Sequence, residues 1–145
     1  MPHSLPQPVV KAFLVCDHVI QDAQTGKKSL IGVFHELRAE RYPAVHPQLW
    51  IYANLTDGHG RYALEIRLVD VQEGSVLSRG EPPPLEIAGP LQVAELSAQL
   101  RNVGLPRPGP YEFHLLSNGQ VLATKAVHAT LLASPPPKGP RTPAP

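Results

Sequence analysis

Pro106-Arg-Pro-Gly-Pro-Tyr-Glu-Phe-His-Leu-Leu-Ser-Asn-Gly-Gln-Val-Leu-Ala-Thr-Lys125 reads as a β-hairpin, and the rest of the chain reads as strands packed around it. Asn118 and Gly119 both tolerate positive φ, which a two-residue type I′ turn requires. That turn sets Ser117 opposite Gln120, and each step outward predicts another pair. Leu116 should face Val121, Leu115 Leu122, Phe113 Thr124, and Tyr111 Ala126. Glu112 falls opposite Lys125, a favourable cross-strand charge pair. Tyr111, Phe113, Leu115, Leu122 and Ala126 then form a core face. Glu112, His114 and Lys125 form the other. Pro106, Pro108 and Pro110 exclude a helix just upstream.

Strands extend in both directions from this hairpin. Lys11 to Ile20 is an apolar run with the length of a strand, apolar on both faces, which predicts cover on both sides or a bulge near Asp17. Gln21 to Lys27 is polar, contains Gly26 and reads as a turn. Ser29 to Leu37 is a second strand. Pro43 and Pro47 bracket a loop, and Leu49 to Leu55 is a third strand. Arg61 to Asp70 alternates most clearly, with Tyr62, Leu64, Ile66 and Leu68 inward and Arg61, Glu65 and Arg67 outward. Pro82-Pro83-Pro84 must lie at an edge or outside the sheet. Leu91 to Val103 fits helical spacing and strand alternation alike. Its strand neighbours and short turns favour a strand with Ala94, Leu96, Ala98 and Leu100 inward.

About eight strands with turn signals between them predict an all-β fold: a single antiparallel β-sandwich of immunoglobulin-like, Greek-key type. The Cys…Trp…Cys spacing of true immunoglobulin domains is absent. Three parts are expected: a flexible arm at 1–8, the sandwich at 9–132, and a disordered Pro-rich tail at 133–145.

The chain has 145 residues and a net charge of +1. The foldable part, about 125 residues, can bury a core without disulfide or metal. Near-neutral charge gives no steering toward nucleic acid or an anionic membrane. The start lacks the basic-then-apolar pattern of a signal peptide. No apolar run approaches the roughly 18 residues of a membrane span. One cysteine permits no internal disulfide, so a cytoplasmic protein is the simplest expectation.

Cys16 and His18 share a strand face, which is the start of a thiol–imidazole pair. No third orienting group is identifiable, and a buried Cys between Leu14 and Ile20 is ordinarily inert packing. The seven histidines are scattered without HExxH or paired-cysteine spacing. His59 and Asp22 read as solvated turn residues, so no metal and no cofactor are implied. Arg41, Tyr42, His46 and Arg107 lie in loops expected at one end of the fold, where they can form a basic, aromatic rim; the bland alternative is an ordinary polar loop end. Trp50 and Tyr52 share a face opposite Leu49, Ile51 and Leu55. Exposed, they suit a partner or a sugar ring; covered, they are core.

Phe13-Leu-Val-Cys-Asp-His-Val-Ile20, Thr25-Gly-Lys27, Leu30-Ile-Gly-Val-Phe34, Gly60 to Asp70 and Pro106 to Phe113 together resemble a small bacterial family known only as a domain of unknown function. The resemblance covers most of residues 9–131. It implies an all-β fold and a bacterial source, and carries no activity, cofactor or site residues. The expectation is a non-enzymatic module that binds a protein partner or itself. The alternatives are a carbohydrate-like ligand held by Trp50 and Tyr52, or a thiol enzyme using Cys16 and His18.

Overall fold

The computed structural model describes residues 6–132; the first five residues of the arm and the Pro-rich tail at 133–145 lie outside them. Among the described residues the chain is all-β, with eleven strands and no helix. In chain order these are β1 Val9–Gln21, β2 Lys28–Val33, β3 Glu36–Ala39, β4 Ala44–Thr56, β5 Gly60–Tyr62, β6 Leu64–Asp70, β7 Ser75–Gly80, β8 Leu85–Ile87, β9 Ala94–Leu105, β10 Gly109–Ser117 and β11 Gln120–Leu131. They form a sheet ordered β2-β1-β4-β9, a second ordered β3-β11-β10-β6-β7, and a β5-β8 ribbon. The sheets are open, and neither closes into a barrel. All pairs are antiparallel except β3 with β11.

The two larger sheets share one core. Val15, Leu49, Ile51, Leu55 and Leu96 come from the first, and Ile66, Leu68, Phe113, Leu115 and Val127 from the second. The odd positions of β4 from Leu49 to Leu55 and the even positions of β6 point inward, as the period of two requires. Tyr62 and Ile87 extend the core from the ribbon. The Tyr62 hydroxyl donates to the carbonyl of Pro6 at 2.6 Å and accepts from the amide of His59 at 2.9 Å. That ties the last residues of the N-terminal arm to the fold.

The ambiguous segment is strand. β9 supplies the second partner of β4, from Leu55 opposite Ala94 to Ala44 opposite Leu105. That ladder outweighs the helix propensity of its Ala, Glu and Gln residues. Ala94 and Leu96 are buried, and Ala98 and Leu100 half-buried. Asn102, at φ 53°, then shifts the parity, so that Val103 and Leu105 are the next buried residues. Opposite Asn102 stands Pro47, inside β4. It is tolerated there because β1 pairs with β4 only as far as Trp50, leaving β4 one neighbour at that level.

Several expected details are corrected. The hairpin turn is right: Asn118 and Gly119 have φ of 50° and 80°, with Ser117 opposite Gln120 and Leu116 opposite Val121. A bulge at Leu122 then shifts the register, so that Leu115 faces Ala123, Phe113 Lys125, and Tyr111 Val127. Glu112 therefore faces Ala126, not Lys125, and Ala126 is exposed while Val127 and Ala129 are buried. The bulge lets β11 present Val127 and Ala129 to the core. The strand expected over 29–37 is two strands: β2 belongs to the first sheet and β3 to the second, so the chain changes sheets at Phe34-His35. The strand over 61–70 also divides, at Ala63, because Gly60–Tyr62 pairs with β8 rather than with β10 or β7. In β1 the irregularity falls between Val10 and Ala12. At Asp17 the change is a bend, described below. Pro82-Pro83-Pro84 lies outside the strands, between β7 and β8.

Candidate functional site

Trp50 and Tyr52 project from β4 on the face away from the core, because Leu49, Ile51 and Ala53 between and beside them are fully buried. That face is covered. In a flat sheet Lys28, opposite Gln21 at the far end of the β1–β2 hairpin, would lie roughly 20 Å from Tyr52, which pairs with Leu14. Instead the Lys28 ammonium donates to Ser97 Oγ at 2.9 Å and stands 6.0 Å from the Tyr52 ring centroid. The hairpin therefore bends back over β4 and β9. Val19, Leu30 and Lys28 turn inward and are half-buried, while His18, Ile20, Ser29 and Ile31 face solvent.

The bend is built at Gly32 and Asp17. Gly32 has φ of 71°, and a Cβ placed there would run into the Asp17 carboxylate. Left-handed geometry costs a residue with a Cβ about 1–2 kcal/mol before that clash is added. Gly32→Ala is expected to loosen the hairpin and raise the labelling rate of the Cys16 thiol up to about tenfold, through more frequent local opening. The strand signal in circular dichroism should persist. Labelling at the wild-type rate would show that the hairpin does not depend on this glycine.

Beneath the bend, Cys16 is fully buried and its thiol donates to the carbonyl of His18 at 3.3 Å. Burial first, then the adjacent Asp17 carboxylate, push the thiol pKa above its ordinary value, against the opposing effect of that hydrogen bond. This is the setting of an unreactive thiol. His18 offers Cys16 its backbone carbonyl, while its side chain faces solvent.

Tyr52 is 9% exposed and its hydroxyl donates to Glu95 Oε2 across the ladder. Burial and that hydrogen bond raise its pKa. No aromatic face of Tyr52 is open to a sugar ring. Trp50 is half-buried and differs in surroundings. It lines a groove of about 300 Å³ with Ile66, Gly80, Glu81, Pro82, Pro83 and residues 97–100 of β9. Trp50 comes from the outer face and Ile66 from the core, so the groove runs along the outer edge of β9. β9 ends its sheet and has no strand on that side. The opposite wall is Pro82-Pro83, and Glu81 is the groove's one charged lining residue.

The second candidate group is partly assembled. Ala44 opposite Leu105 and His46 opposite Val103 bring the loops around 41–46 and 103–107 to one end of the fold. Tyr42 and His46 line a recess of about 40 Å³ with Leu37, Arg38, Ala39 and Leu105. The Tyr42 hydroxyl donates to the Thr130 carbonyl at 2.6 Å, and burial followed by the nearby Tyr111 raises its pKa. His46 packs its ring 6.1 Å from that of Phe34. Arg41 is exposed. Arg107 is committed elsewhere. Its Nη2 donates to both oxygens of Asp70 at 2.8 and 2.7 Å, and its Nε donates to Gln72 Oε1 at 2.7 Å. Asp70 is 2% exposed. Arg107 therefore neutralises a buried carboxylate, and the expected rim reduces to a small recess held by structural contacts.

Sequence reasoning singled out Trp50 but missed the groove beside it. The triproline was legible as lying outside the sheet, but its position opposite β9 depends on strand order. Among the described residues no group of three His, Cys, Asp or Glu side chains is placed to hold a metal, and no helix is long and apolar enough to cross a membrane.

Open sheets, a shared core and an edge groove define an all-β protein. Within that class the chain belongs to DUF6941, a family of unknown function whose pattern matches residues 11–130. No curated protein matches the chain. One similar solved structure is the Pseudomonas fluorescens alkylpurine DNA glycosylase AlkC bound to DNA containing an abasic site analog. It has 11% identity and a TM-score of 0.46 over 66% of this chain and 27% of that one. Another is the β-glucosidase from Listeria innocua in complex with isofagomine, with 13% identity and a TM-score of 0.41 over 83% of this chain and 17% of that one. The chain thus spans about a quarter or less of either protein's length.

Proposed function

We propose that this protein is a non-enzymatic interaction module, built as an immunoglobulin-like β-sandwich over residues 9–132, that binds an extended segment of a protein partner or of itself. The observation that carries the reading is the unpaired outer edge of β9 beside Trp50, Pro82 and Pro83. Unsatisfied strand N–H and C=O groups give an extended segment its affinity, and adjacent side-chain pockets give it selectivity. Two sheets around one core support the sandwich reading. So does the Tyr111 hydroxyl, which donates to the Arg107 carbonyl at 2.6 Å, four residues upstream, in the manner of the tyrosine corner of such folds. The buried Cys16, with its raised pKa, weighs against a thiol enzyme. The covered Tyr52 weighs against a sugar platform of paired aromatics.

The test places lysines in the groove wall and on the strand edge, where they disfavour strand addition. Pro83→Lys/Gln99→Lys is expected to weaken self-association in sedimentation, or retention of a captured partner, by about tenfold or more, the effect of losing an interface anchor. Circular dichroism should stay unchanged. A wild-type monomer at every concentration that also retains no partner would overturn the reading, as would a double variant that binds like the wild type.

A further inference from the structure

β9 ends its sheet, and the groove wall opposite it is Pro82-Pro83, which has no N–H to donate and cannot zip onto the strand. Along that open edge Glu95-Leu-Ser-Ala-Gln-Leu-Arg101 is nearly its own complement. Leu96, Ala98 and Leu100 stand on the core face, and Glu95, Ser97, Gln99 and Arg101 on the outer face. Leu96 is buried, but Ala98 and Leu100 are half-buried where the next strand is missing. Glu95 and Arg101 are exposed at the two ends of the stretch. Oε2 of Glu95 accepts from the Tyr52 hydroxyl, and its Oε1 has no partner among the described residues. We propose that the β9 edge is occupied by β9 of a second copy of this chain, antiparallel about a two-fold axis through Ala98. This rests on the edge being a segment-binding site and names the segment.

The register follows from the residues. An axis at Ala98 sets Leu96 opposite Leu100 of the second copy, Ser97 opposite Gln99, and Glu95 opposite Arg101, and the symmetry repeats each pair. Apolar residues meet on the core face and polar ones on the outer face. Opposite charges directly across a ladder attract, like charges there repel, and this register sets no like charges opposite each other. An axis at Ser97 or Gln99 sets Glu95 against Gln99 or Val103 and forfeits both ion pairs. An axis between two residues turns the apolar face of one strand against the outer face of the other. Asn102, at φ 53°, shifts the parity of β9, so the complementary stretch stops where its charges stop. The seven residues give an edge of about 23 Å. Pairing along it joins the β2-β1-β4-β9 sheets of the two copies into one.

Sedimentation velocity of the full chain and two variants tests this. Arg101→Glu sets like charges opposite each other twice per dimer and leaves the Tyr52–Glu95 hydrogen bond in place. It should weaken self-association by about tenfold, and Glu95→Arg should do the same. Mixing the two variants in equal amounts should restore a dimer of near wild-type affinity, because each chain then meets opposite charges at both ends. Mixing does not repair a folding defect in either chain, so recovery reports on the pairing itself. Added salt should shrink the difference between the variants and the wild type. Single variants that self-associate like the wild type would overturn the proposal. So would a mixture that stays monomeric, or a wild-type chain that is monomeric at every concentration. A monomer that still retains a captured partner, and loses it in the Pro83→Lys/Gln99→Lys variant, overturns the second copy as occupant while the segment-binding reading stands.

Discussion

Arg107→Ala is expected to destabilise the fold by about 3 kcal/mol, the lower part of the range for removing one partner of a buried ion pair. Asp70 is 2% exposed, and its two oxygens face Arg107 Nη2 at 2.8 and 2.7 Å. Its Oδ1 also accepts the backbone amides of Gln72 and Glu73 at 3.1 and 3.3 Å, closing the β6–β7 turn. Truncating Arg107 leaves a buried carboxylate with only those two neutral donors. The lower end of the range applies because the Arg107 side chain is 34% exposed, so water reaches the vacated place. Arg107→Lys should cost less, since it keeps the charge, and should still cost something, since an ammonium loses the planar fork that also reaches Gln72. Urea unfolding measures both, with a shifted midpoint at unchanged slope as the expected signature. In a double-mutant cycle, Asp70→Asn with Arg107→Ala should destabilise by less than the sum of the single changes, because no buried charge is stranded. An Arg107→Ala midpoint equal to wild type would mean that Asp70 does not depend on its partner.

Phe113→Ala is expected to cost about 3–5 kcal/mol. Phe113 is fully buried at the centre of β10, opposite Leu68 of β6 and within the core shared by both sheets. Removing the ring forfeits its transfer energy and opens a cavity between two hydrogen-bonded sheets that can collapse only slightly. Phe113→Leu should recover most of that loss by retaining volume. Equal stability of Phe113→Ala and wild type would place this side of β10 outside the core. The same alternation half-exposes Glu112 and His114, which pair along the strand at 3.0 Å on the outer face.

The candidate site was legible in fragments. Trp50 and Tyr52 stand on one face in the sequence, but whether a face is open depends on what crosses it. Here that is a hairpin bent at Gly32 whose Lys28 reaches Ser97, far away in sequence. Arg107 reads as a loop cation until Asp70 is found beside it. The groove joins β4, the β7–β8 connection and β9, which no local spacing relates.

By itself the sequence determined the local stereochemistry. Asn118-Gly119 dictates a tight hairpin turn, because few residue pairs accept two positive φ angles. The alternation of Tyr62, Leu64, Ile66 and Leu68 dictates which side of that stretch is buried, and three consecutive prolines dictate that 82–84 leaves the ladder. The tertiary structure alone decided the rest. It placed the bulge at Leu122 so that Val127 and Ala129 enter the core, moved the chain between sheets at Phe34-His35, and made β9 an edge. Each of these is a choice among backbone arrangements of nearly equal local energy. Such choices are settled by side chains distant in the chain that share one core, and neighbouring residues carry no record of them.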